Sequence, residues 1–60
     1  MFGFTTALSY LMQGKRVRRS GWHEGWIEVS GDSIIDDNDD DFFEVENSES
    51  ILADDWELVN

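Results

Sequence analysis

Apolar residues recur at helical spacing near the start of the chain. Phe4, Ala7, Leu8, Leu11 and Met12 fall on one face of a helix predicted over residues 5–13. Thr5 or Thr6 is placed to cap its first turn, and Gly14 stands where a left-handed residue would end it. The period then changes to two. Val17 lies between Arg16 and Arg18 in a short strand, and Ile27 and Val29 alternate with Trp26 and Glu28 in a second. Ser20-Gly21 and Gly31-Asp32 are turn signals, so Ser33-Ile34-Ile35 reads as the return arm of a hairpin. Phe42-Phe43-Glu44-Val45-Glu46 also alternates, which predicts a strand with Phe43 and Val45 facing inward. Residues 47–50 are turn and cap types, Ile51-Leu52-Ala53 reads as one helical turn, and Trp56-Glu57-Leu58-Val59 alternates as a final strand. The pattern predicts a single α+β domain over residues 1–60. One N-terminal helix packs on an antiparallel sheet of four to five short strands, because tight turns leave no room for parallel crossovers.

Length changes this picture in one respect. A chain of 60 residues buries only about 60% of the surface its unfolded form exposes, so its stability is marginal. It has no cysteine, so no disulfide adds to the core. Domains of this size without such staples often complete their core by association, and a homo-oligomer is expected. Met1-Phe2-Gly3-Phe4 has no basic residue, so no leader of the secretory type is expected, and no run approaches the ~20 apolar residues of a membrane span. The expectation is a soluble protein of the cytoplasm with no membrane contact.

Charge is segregated along the chain. All four Lys and Arg lie within residues 1–23, which hold no acid; all fourteen acids lie in residues 24–60, which hold no Lys or Arg, and the net charge is −10. Such a chain is not expected to bind nucleic acid directly, because that binding depends on cations displacing counterions from phosphate. A basic protein surface is the better electrostatic partner.

The four cations are concentrated in Gly14-Lys15-Arg16-Val17-Arg18-Arg19-Ser20-Gly21-Trp22. Cations beside an aromatic ring can hold an anion attached to a flat ring, and they can equally finish the edge of a small sheet. Lys15 and Arg16 also lie near the negative end of the helix dipole. Several catalytic patterns fail. His23-Glu24 opens like a zinc-protease helix motif, but Ile27 stands where the second histidine is needed. The acidic run starting at Asp36 has Asp41 where a calcium loop needs glycine and Asn47 where it needs glutamate. No glycine-rich phosphate loop is present, and His23 is the only conventional base for a nucleophile. No catalytic residue, metal site or cofactor is expected, and the protein is read as a non-enzyme.

Two stretches carry a resemblance. The first is Phe4-x-x-Ala7-Leu8-x-x-Leu11-x-x-Gly14-x-x-Val17-x-Arg19-x-Gly21-Trp22, and the second is Ile51-Leu52-Ala53-x-Asp55-Trp56-Glu57-Leu58-Val59. Together they resemble the two ends of a family of small phage and bacterial proteins that includes the second type of Thoeris anti-defence protein. The pattern covers about half of the chain, in the right order. Members of the family are longer, and here their middle segment is replaced by a short acidic stretch, residues 24–46. The resemblance implies a phage anti-defence protein acting in the host bacterial cytoplasm as an oligomeric sponge. It would sequester a cyclic ADP-ribose-type immune signal between subunits without cleaving it. Arg19, Trp22, Asp55 and Trp56 fall on the recurring motif. A tryptophan face can stack on adenine, worth roughly 1–3 kcal/mol by analogy with single-strand binders. Arg18 or Arg19 can hold a phosphate in a two-pronged contact, and Asp55 can accept from ribose hydroxyls. For the two tryptophans the competing reading is core packing, and for Asp55 it is a turn cap or a pair with Arg19.

A second expectation comes from the acids themselves. Asp36, Asp37, Asp39, Asp40, Asp41, Glu44 and Glu46 make seven acids in eleven residues. Duplex DNA presents a charge every ~1.7 Å of axis. An extended chain rising about 3.3 Å per residue would offer a comparable line. These residues would then bind a basic, nucleic-acid-binding defence protein, such as a CRISPR nuclease, as a nucleic-acid mimic. Inhibition of CRISPR nucleases is also an activity linked to the resembled family.

Overall fold

A computed structural model describes residues 1–45 and 48–59. Helix α1 (Phe4–Met12) is followed by strands β1 (Arg16–Arg19), β2 (Ile27–Ser30) and β3 (Ser33–Asp36). Two single-turn helices, α2 (Phe42–Val45) and α3 (Ser48–Ile51), precede strand β4 (Trp56–Val59). The strands form one sheet in the order β3-β2-β1-β4, with every neighbouring pair antiparallel. This is the α+β architecture read from the pattern, with four strands. Among the described residues, no helix is long and apolar enough to cross a membrane.

The helix begins one residue before its predicted start, and neither threonine caps it. Gly3 takes the cap position in extended conformation with no side-chain bond. The cause lies in the preceding residue. Phe2 exchanges both backbone hydrogen bonds with Trp56, each 2.9 Å, which ties the chain to β4 and leaves Gly3 as the only residue before the helix. Phe4 then packs its ring against Phe42 and Trp56, at centroid distances of 5.8 and 5.3 Å. At the other end the Gly14 N–H donates to the Leu11 carbonyl and the Lys15 N–H to the Tyr10 carbonyl. This is a Schellman closure, and it requires the left-handed φ of 84° that Gly14 adopts.

Ala7 and Leu11 from α1 meet Val17, Ile27, Ile34, Phe42 and Trp56 in one buried cluster. Val17 is the hinge of the register, opposite Ile27 on one side and Leu58 on the other. That pairing fixes the inner face of β1, and the alternation then sends Arg16 and Arg18 to the outer face. Arg19 returns to the inner side at the end of the strand, opposite Trp56.

The stretch from Phe42 is helical, which overturns the expected strand. Phe42 is the residue that turns inward, 2% exposed, while Phe43 is 55% exposed. The Asp41 carboxylate accepts the Phe43 N–H at 2.9 Å, and the Asp41 carbonyl accepts the Glu44 N–H at 3.1 Å. These bonds give the segment a helical start that its period-two pattern does not reveal. The side chain of Val45 and all of Glu46 lie outside the described residues. The predicted turn at Ile51 is displaced toward the N-terminus, with Leu52 beyond the helix and exposed.

Candidate functional site

The cations of β1 are held by acids brought from elsewhere in the chain. On the outer sheet face Arg18 Nε donates to Glu57 Oε2 at 2.9 Å across the β1–β4 pairing, and Arg16 Nε to Glu28 Oε1 at 3.3 Å. The Arg16 guanidinium carbon also stands 4.1 Å from the ring centroid of Trp26. At the sheet end Arg19 presents two nitrogens to one carboxylate, Nε to Asp55 Oδ1 at 2.8 Å and Nη2 to Oδ2 at 3.3 Å. Its third nitrogen donates to the buried Ser50 hydroxyl, also at 3.3 Å. The Arg19 hydrogen bond holds the Asp55 carboxyl below its ordinary value; partial desolvation opposes this, and the charge of Arg19 and the Ser20 hydroxyl add to it.

Four residues of the expected ligand site therefore converge. Arg19, Trp22, Asp55 and Trp56 come together where the end of β1 meets the start of β4, although Arg19 and Asp55 are 36 positions apart. Two pairs join them to one another, Arg19 with Asp55 and Trp22 with Trp56, and further contacts reach the surrounding core and Ser50. Trp56 is fully buried, packs against Phe4, Trp22 and Phe42, and donates its indole N–H to the Ser50 carbonyl at 3.0 Å. Trp22 is half-buried and meets Trp56 edge to face, with centroids 5.4 Å apart. Arg18 points to the other face of the sheet, beside Glu57. Pattern reading did not find Glu28, Ser50, Trp26 or Glu57 as partners of the arginines. Only the folded sheet and its connections bring them near, through β1 pairings such as Val17 with Ile27 and Arg16 with Val59.

The acidic run is a compact turn and not an extended line. Asp36 Oδ1 accepts the N–H groups of Asn38 and Asp40, at 2.8 and 3.1 Å, and the Asp36 N–H donates to the Asp40 carbonyl at 3.0 Å. Asp39 takes a left-handed φ of 64°, and Asp41 bridges back to Ile35. The side chains of Asp36 and Asp41 thus build the loop. Those of Asp37, Asp39, Asp40 and Glu44 are exposed and make no ion pair among the described residues. The charge is consequently a dense cluster, and the comparison with the spacing of duplex phosphates does not hold. Among the described residues no group of three or more acids or histidines is arranged to hold a metal ion.

Each end of this loop opens onto a cleft. On one side lies an apolar cleft of about 380 Å³ lined by Met12, Val29, Ile34 and Phe43, with Asp32 and Asp41 at its rim. Met12 is 75% exposed there. On the other side Trp22 and Trp26 line a cleft of about 280 Å³ together with Glu24, Asp36 and Asp37. A third cleft of about 320 Å³, by Lys15 and Arg16, is lined by Glu28 and the end of β4. All three are near the small end of the ~300–1,000 Å³ range of ligand pockets. No family model, no curated protein and no solved structure matches this chain.

Proposed function

We propose that this chain is a binding protein that engages a basic surface of another protein, as an acidic decoy for a nucleic-acid-binding partner such as a nuclease of a defence system. One observation carries the reading. Three of the four cations are neutralised within the fold by Glu28, Glu57 and Asp55, whereas the acids of the 36–41 loop have no such compensation and adjoin an apolar cleft. Pairing strengthens it. Arg16, the cation beside the Trp26 ring, is already held by Glu28. A partner approaching the loop therefore feels acids that, among the described residues, no cation of this chain pairs. The exposed Met12, Val29 and Phe43 would supply the apolar contact that charge alone lacks.

The test is a titration of the full chain against a purified RNA-guided nuclease, free and guide-loaded, at 50 and 200 mM salt. The expected result is binding that weakens steeply with salt and competes with DNA. An affinity unchanged across that range would refute the electrostatic basis.

The nucleotide-sponge reading has one observation in its favour, the convergence of Arg19, Trp22, Asp55 and Trp56 from the two ends that carry the family resemblance. Its ligand would have to use the accessible part of Trp22 and a second copy of the chain, since the Arg19 fork already holds Asp55 and Trp56 has no free face. Calorimetric titration with cyclic ADP-ribose isomers separates the two. Saturable heat at one site per one or two chains supports the sponge, and silence from a protein that sediments as an oligomer removes it.

A further inference from the structure

We infer that the cleft between Trp22 and Trp26 is a binding site for a single alkyl ammonium or guanidinium group, namely a lysine or arginine side chain presented by a protein partner. The inference takes its occupant from the reading above, but its evidence is the cleft itself. Two indoles contribute to the wall and three carboxylates, Glu24, Asp36 and Asp37, surround them; no Lys or Arg lines it. An indole face attracts cations through its quadrupole, and carboxylates beside it add charge. Trp26 already does this within the fold, since the Arg16 guanidinium rests 4.1 Å from its ring centroid. The same carboxylates would repel a phosphate. At about 280 Å³ the space suits one side chain, since it falls just below the roughly 300–1,000 Å³ of pockets for drug-sized ligands.

The backbone turns sharply at the cleft. Gly25 sits between Glu24 and Trp26 with φ of 101°, a conformation that residues with a side chain rarely adopt. A Cβ added there would lie 3.5 Å from Asp37 Oδ1, an ordinary contact, so the backbone conformation and not a lack of space is what favours glycine. Asp36 is fixed in place by the two N–H groups its Oδ1 accepts. Asp37 makes no side-chain hydrogen bond or ion pair among the described residues, and its carboxylate is exposed.

The experiment uses the full ¹⁵N-labelled chain and three probes, the N-acetyl methylamides of lysine, arginine and norleucine. The indole N–H resonances of Trp22 and Trp26 are followed, with buried Trp56 as the internal reference. The expected result is a saturable shift of Trp22 and Trp26 with the two cationic probes, at least five-fold weaker binding of norleucine, and little movement of Trp56. Asp37→Asn should weaken the cationic probes at least three-fold with no change in the circular dichroism spectrum, and Glu24→Gln should act in the same direction. An equal response to norleucine, shifts that spare Trp22 and Trp26, or full affinity in both variants would overturn the assignment. The two proposals fail separately. Probes that bind a chain with no affinity for any basic protein would leave the cleft standing and remove the decoy. A basic protein that binds without moving Trp22 and Trp26 would do the reverse.

Discussion

Trp56→Phe tests whether Trp56 is a packing residue or a ligand platform. In the fold it is fully buried and touches Phe4, Trp22 and Phe42. Phenylalanine keeps an aromatic ring but lacks two ring carbons and the indole N–H. Two carbons at ~0.8 kcal/mol per buried methylene-equivalent give about 1.6 kcal/mol. The hydrogen bond to the Ser50 carbonyl adds about 1 kcal/mol and not more, because that carbonyl keeps a second donor, the Ala53 N–H at 3.3 Å. The expected loss is therefore roughly 2–3 kcal/mol. A domain of this length has roughly 3–9 kcal/mol in total, from 0.05–0.15 kcal/mol per residue. The variant should thus lose at least about a fifth of its stability, and most of it if the total lies at the low end of that range. Urea unfolding followed by far-ultraviolet circular dichroism reads this directly, since fluorescence would change with the substitution itself. The midpoint should fall with the slope unchanged. A loss under about 0.5 kcal/mol, the range of ordinary surface substitutions, would refute the packing argument and return Trp56 to the ligand-site reading.

Two further outcomes follow from the ion pair and the loop. Asp55 has a folded-state carboxyl below its ordinary value of 3.8 because Arg19 hydrogen-bonds to it. Its contribution is therefore fully present above that value and is lost as pH falls through the lower, folded one. The stability gap between the native chain and Asp55→Asn should be constant above about pH 5 and should narrow below about pH 4; a gap that widens in acid would contradict the pairing. Asp41→Ala removes the acceptor of the Phe43 N–H and should cost about 1 kcal/mol, as for other N-terminal caps. An unchanged thermal midpoint would show that α2 does not depend on this bond.

The elements that the sequence made legible are those whose period and punctuation agree. Phe4, Ala7 and Leu11 share a face, Gly14 ends the helix, and the hairpin at Gly31-Asp32 pairs Val29 with Ile34 as its turn signal requires. The segment from Phe42 was misleading because Phe-Phe-Glu-Val alternates only on paper. The deciding contacts are a local carboxylate cap at Asp41 and the space between Phe4 and Trp56 that Phe42 fills. Neither has a periodic signature. The same limit applied to the turn at Gly25, since a single glycine in Glu24-Gly25-Trp26 carries no mark of the left-handed backbone it adopts.

The arginine cluster illustrates how a charge pattern read along the chain changes its meaning in the fold. Four cations within five residues suggest a place for an anion. The anions that the three arginines meet are this chain's own, supplied by Glu28 across the sheet and by Asp55 and Glu57 at its far end. For Arg18 and Arg19 these partners lie 39 and 36 positions away, so the pairing exists only once β1 and β4 are side by side. Charge segregation in the sequence thus becomes charge compensation in one part of the fold and a surplus in another. The surplus falls where β3 turns into α2, because Asp36 and Asp41 bond backbone N–H groups, Asp37, Asp39 and Asp40 are exposed, and none of the five pairs with a cation among the described residues. A phosphate brought to β1 would have to displace a carboxylate already fixed at 2.8–3.3 Å, whereas a lysine brought to the loop displaces only water. That asymmetry is the physical reason for seeking a cationic partner first.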